Sequence, residues 1–321
     1  MTASVLHVFG TLAPIYLILA LGAWLRHTGF ITADLAKGLN KLIFHISLPC
    51  MIINSVATAP VSAGWERATL ALAGGTVIVF ALAWFLAPLM GISNFSRPSF
   101  CQSVFRSNNA YIGIPVMLFA FQGRPDLDEM SALAMLTLAP CLILYNVMAV
   151  TILTKTKEGI TPLSKFKSIL IGMAKNPLII ACVTGLILLV LKVNAEFELP
   201  APVNKSIKTL GAMATPGSIL ALGASLTPQI LRANWRGAHW TVLLKLVAAP
   251  LAGLALAALL GLPPLHRFVV VCYLACPSAV ASFVMAQAMH GDADIAGSSV
   301  ALTTIYSFFS LSAVLLWLMP A

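Results

Sequence analysis

Charge is what this sequence has least of. Of its 321 residues only 9% are charged, and just ten are Asp or Glu against 19 Lys and Arg. A soluble chain carries about 25% charged residues, so water cannot be the solvent for most of this surface; the bilayer must be. No Asp or Glu falls deep in any apolar run. That excludes a carboxylate proton relay of the common kind and disfavours a cation pathway lined by acids. Metalloprotease, phosphate-loop and Ser/His/Asp patterns are missing as well, so the chain is not read as an enzyme and no cofactor is expected. The net charge of +9 sits in short connections rather than on one basic face, which excludes nucleic acid as a partner. The six cysteines lie in apolar runs without paired spacing, and Cys272 and Cys276 are read as small packing residues.

What is present is apolar, 60% of the chain. Runs bounded by charges or turn residues fall at 4–25, 38–57, 68–90, 99–122, 130–153, 176–192, 203–226, 238–260, 265–289 and 294–318. Each is near the ~20 residues that a helix needs to cross a bilayer. The first lacks a basic leader and contains Pro14, so it is read as a true span rather than a signal peptide. A polar stretch at 154–175, with five lysines, separates a first unit, 1–153, from a second, 176–321. The predicted class is an all-α membrane protein of about ten transmembrane helices.

The two units resemble each other. Pro14 and Pro177 are 163 residues apart, Pro49 and Pro216 167, and both Pro88 with Pro250 and Pro115 with Pro277 162. Scattered kinks would not keep such a register, so the pattern predicts two five-helix repeats. An odd number of spans makes the second enter the membrane from the opposite side, giving inverted repeats. With both termini outside the cytoplasm, the cytoplasmic ends hold twelve Lys and Arg, Arg106 among them, and the outer ends six. The positive-inside rule favours that orientation.

Pro115 follows Ser107-Asn108-Asn109-Ala110-Tyr111-Ile112-Gly113-Ile114, and Pro277 follows Tyr273-Leu274-Ala275-Cys276 and precedes Ser278. A mid-span proline removes one helical hydrogen bond and biases the residue before it away from the helix. Spans four and nine are therefore expected to break, with half-helix N-termini meeting from opposite sides and favouring a carboxylate or other small anion. Asn108, Asn109 and Asn54 are amides able to contact it, with an interhelical bonding role as the other reading. Lys245 is the one charge deep in a run, facing the site or snorkelling to the cytoplasmic surface.

These motifs resemble the auxin efflux carrier family, which contains plant PIN-type carriers and bacterial malate and malonate permeases. The resemblance runs through Tyr16–Gly22 and Gly38–Lys41, Asn176–Ala181, Thr215–Leu226, Gly113–Pro115 and Pro277–Ala286. It implies the ten-helix fold of bile-acid-symporter- and NhaA-like transporters, with broken helices 4 and 9 crossed. Helices 1, 2, 6 and 7 would form a scaffold, and 3–5 and 8–10 a moving transport domain. It further implies an elevator motion, a homodimer, and substrate contacts at Asn108 and Asn54. The expected function is a secondary transporter of a small organic carboxylate in a bacterial inner membrane. Its site would hold Asn108, Asn109, Asn54, Tyr111, Gly113, Pro115, Pro277, Ser278 and Lys245. Sodium or proton coupling and any metal stay open, and an anion channel or a ligand-binding membrane sensor is the alternative.

Overall fold

In an apolar solvent every peptide group must find its partner within the protein, and helices do this locally. The computed structural model describes residues 5–58, 64–153, 177–195, 197–226 and 233–320; the 154–175 connection and Asn176 lie outside the described residues. Helix α1 covers Val5–His27, α2 Ala33–Leu42, α3 Leu48–Ala57, α4 Trp65–Leu86, α5 Arg97–Phe105, α6 Ile114–Ala120 and α7 Leu127–Leu153. In the second half, α8 covers Pro177–Ala195, α9 Ala201–Ala212, α10 Ala214–Ser225, α11 Trp235–Leu243 and α12 Ala249–Leu259. Helices α13 Pro264–Ala275, α14 Val280–Ala288 and α15 Ala293–Leu318 complete the chain.

Among the described residues, seven continuous helices are long and apolar enough to cross a membrane. Two of these, Ala33–Ala57 and Trp235–Leu259, each join two of the named helices through a π-helical turn. The three remaining predicted runs are each split, as α5 and α6, α9 and α10, and α13 and α14.

The prolines do not act alike. Ile43–Ser47, Asn109–Gly113 and Leu244–Ala248 are π-helical turns, and each is followed by a helix with proline in its first turn: Pro49, Pro115 and Pro250. A wider turn absorbs the missing N–H without ending the helix. Pro14 and Pro140 lie inside helices, Pro88 follows the end of α4, and Pro177 starts α8. The paired prolines thus share spacing more than local structure.

Helices α1 and α10 pack at very short range. Gly22 faces the Leu220 carbonyl and Gly223 faces that of Leu19, and a methyl group on either would collide with the opposite main chain. Small residues are how helices approach closely where no hydrophobic force drives them together. Helix α3 rests on α8 and α9, while α4, α7, α13 and α15 enclose Phe100, Phe105, Tyr145 and Tyr273. Half of the apolar stretch of α15 is buried, against 18% for α8, so α15 is central and α8 peripheral. The Asp292 carboxylate accepts from the Ile295 N–H and caps α15, which gives that acid a local structural role.

Candidate functional site

The sequence places a break at each of two prolines; the structure moves one of them. Pro115 is absorbed by the turn Asn109–Gly113, and the chain unwinds upstream, at Arg106 to Asn108. Arg106 is extended, at φ −87° and ψ 101°. In the second half the break is at the proline itself. Cys276 is extended, at φ −64° and ψ 150°, as a residue before proline prefers, and Ala279 is extended too.

The two unwound pieces cross and pair. Asn108 N–H donates to the Pro277 carbonyl at 2.7 Å and Ala279 N–H to that of Arg106 at 2.9 Å, with Ser107 opposite Ser278 in an antiparallel bridge. Each break therefore satisfies backbone groups that the other leaves open. Helix α15 adds two more bonds: the Ser278 N–H donates to Thr303 Oγ1 at 3.0 Å, and Ser310 Oγ donates to the Ala275 carbonyl at 2.9 Å. Gly113 permits the approach, since a Cβ there would lie 2.9 Å from Tyr273 Cδ1 and 3.0 Å from Cys276 Sγ.

This pairing occupies part of the crossing. The N–H groups of Asn108, Ser278 and Ala279, at and before the two helix starts, are engaged, and the first-turn donors begin beyond them, at Asn109 and Val280. Side chains add further polar groups. Asn108 is 5% exposed, and its Nδ2 is buried without an acceptor. Asn109 Nδ2 donates to Tyr145 Oη at 3.3 Å, which leaves its Oδ1 buried and unpartnered. Lys245, in the π-helical turn between α11 and α12, is fully buried and donates to Ser107 Oγ. It reaches the crossing rather than a surface.

Asn108, Asn109, Tyr111, Gly113, Pro115, Pro277, Ser278 and Lys245 are thus assembled around one crossing by α5, α6, α12, α13, α14 and the turns between them. Asn54 is on another helix. It lies one turn before the end of α3, its carbonyl accepts from Thr58, and α3 packs chiefly on α8, α9 and α7. Among the described residues no group of His, Cys, Asp and Glu could hold a metal ion.

Two features went unread in the sequence. Arg106, counted there among the cytoplasmic charges, is a half-buried residue of the break itself. The hydroxyl stripe of α15, Ser299, Thr303, Ser307 and Ser310, recurs at three and four residues, the spacing of one helix face. That period was the available signal.

Comparison with known proteins bears on the same arrangement. A family model described as membrane transport protein matches residues 7–315. An uncharacterized transporter of the archaeon Methanocaldococcus jannaschii is 27% identical over 316 residues, which cover 94% of this chain and 96% of that protein.

Proposed function

The chain belongs to the membrane transport protein family, the auxin efflux carrier family its motifs resemble, and from that premise we propose that it carries a small organic carboxylate across the membrane. It is a multi-pass membrane protein, and the transported species must meet a site inside it. The observation that carries the reading is one of charge. Lys245 and Arg106 sit at the crossing, and among the described residues neither has a carboxylate within ion-pair distance. Unpaired buried cations are costly in a low-dielectric interior. An anionic substrate supplies the missing charge, and the Asn108 amide supplies a donor beside it.

The mechanism follows from how closed the crossing is. Asn108, Asn109, Lys245 and Ser278 are each no more than 5% exposed, so a substrate reaches them only through a conformational change. In an elevator, α4–α7 and α11–α15 would move together as the transport domain, with α1–α3 and α8–α10 as the fixed scaffold. The paired breaks suit such a body, because their hydrogen bonds run between α5, α13, α14 and α15 and need not be broken. Ten spans in two inverted repeats, a homodimer in a bacterial inner membrane and both termini outside complete the proposal.

The test is uptake or counterflow of carboxylates by purified protein in vesicles. Asn108→Ala is expected to lower saturable transport at least about tenfold, as loss of a hydrogen bond to a charged partner does. Unchanged saturable transport would remove Asn108 from the site.

A further inference from the structure

Two arginines elsewhere in this chain are held by oxygen acceptors. Arg97 donates from two nitrogens to the Trp84 carbonyl, and Arg124 holds both oxygens of Asp126, at 2.9 and 2.8 Å, together with the Pro320 carbonyl at 2.9 Å. Arg106 divides its donors between sulfur and one amide oxygen. Its Nη1 points at the Met285 thioether at 2.8 Å and its Nη2 donates to Asn146 Oδ1 at 3.0 Å. Thioether sulfur is a weak acceptor, and a guanidinium has five N–H donors in a planar fork. Its most favourable partner is a carboxylate taken by two parallel hydrogen bonds.

The surroundings are similarly unfinished. Gln102, one turn before Arg106 on α5, also turns its amide nitrogen toward Met285, at 3.5 Å, while its Oε1 is buried with no partner. Ser99 Oγ on α5 and Ser282 Oγ on α14 are buried without partners too. Ser99 and Gln102 share one face of α5, which ends just before Arg106, and α14, which carries Ser282 and Met285, packs on α5. Buried polar atoms without partners are rare in a finished interior, and Gln102, whose amide shares Met285 with the guanidinium, carries one of them beside Arg106.

We propose that Arg106 is the residue that recognises the substrate's charge, forming a paired hydrogen bond to its carboxylate on the α5–α14 side of the crossing. Asn146 is a positioning residue that holds the guanidinium when no substrate is bound. This rests on the carboxylate reading above and deepens it: charge selection lies with a side chain next to the break.

The experiment measures thermal stabilisation of the purified full-length protein by acetate, malonate and malate, each set against its uncharged amide. Wild type is expected to be stabilised by at least one carboxylate and not by the matching amide. Arg106→Gln is expected to weaken that carboxylate at least about tenfold and to erase its advantage over the amide, with Arg106→Lys retaining part of it. Asn146→Asp places a carboxylate against the same guanidinium and is expected to weaken the ligand comparably by competing for it, including where Arg106→Gln fails to fold. Asn108→Ala, run alongside, is expected to lower affinity yet keep the preference for the charged form. Undiminished affinity and preference in a folded Arg106→Gln, or in Asn146→Asp, would overturn the assignment while leaving the carboxylate reading intact. Failure of all three acids to stabilise wild type would sink both.

Discussion

A lysine with no access to water has to be held by something, and Lys245 is held by one serine hydroxyl of the unwound segment. Its depth was legible, because a single cation inside Thr-Val-Leu-Leu-Lys-Leu-Val stands out in any reading of the chain. Its direction was not, since which face of a helix a lone residue occupies depends on what packs there. The place of Arg106 in the break was not legible for the same reason: a basic residue near the end of a helical segment is read first as an orienting charge. Lys245→Met keeps most of the buried volume and removes the charge. It is expected to lower carboxylate affinity about tenfold, read by titrated thermal stabilisation; equal affinity in variant and wild type would reject the lysine as an anion partner.

Breaks and turns were partly legible at the scale of elements. Proline forecasts a lost hydrogen bond, but it does not say whether the chain will unwind or widen. At Pro49, Pro115 and Pro250 it widens into a π-helical turn, and of these four prolines Pro277 is the one in an unwound segment. The outcome depends on whether distant groups can satisfy an opened backbone. For Ala275 to Ala279 those groups are Arg106, Asn108, Thr303 and Ser310, far away in the chain and invisible to local rules. Thr303→Val and Ser310→Ala should therefore each cost about 1–3 kcal/mol by leaving a buried peptide group unpaired. Ser312→Ala, which removes a buried hydroxyl that has no partner, should cost far less. Melting temperatures of the three variants without ligand decide this, and three equal values would show that α15 does not secure the break.

At the scale of the whole molecule, the ten apolar runs all became helical segments, because bilayer thickness and backbone satisfaction leave few alternatives. How the segments group was carried by the resemblance rather than by residue patterns. Contacts between the proposed scaffold and transport helices are where grouping has consequences. Tyr16 on α1 donates to, or accepts from, Ser307 on α15 at 2.9 Å, and Tyr16 also packs edge-on to Phe308 at 5.2 Å. If α15 slides past α1 during transport, this contact must break in each cycle. Cysteines at both positions, joined by a short bifunctional thiol reagent, are expected to abolish counterflow in vesicles and to recover it when a cleavable linker is cut. Full activity in the joined protein would argue against relative movement of these two helices. Gly22 and Gly223, by contrast, lock α1 to α10 within the proposed scaffold, so linking these two helices at positions other than the glycines is expected to leave transport unchanged.

The pairing of the two breaks also bears on how the protein is made. Residues 106–108 are synthesised about 170 positions before the segment at 276–279 that completes their hydrogen bonds. Until the second half has entered the bilayer, the first carries an opened backbone inside hydrocarbon with its partners not yet translated. An unmet peptide group there costs several kcal/mol. The amino-terminal half is therefore a provisional structure that depends on water, an insertion factor or a neighbouring chain. Its stability is conferred late, when the last helices arrive.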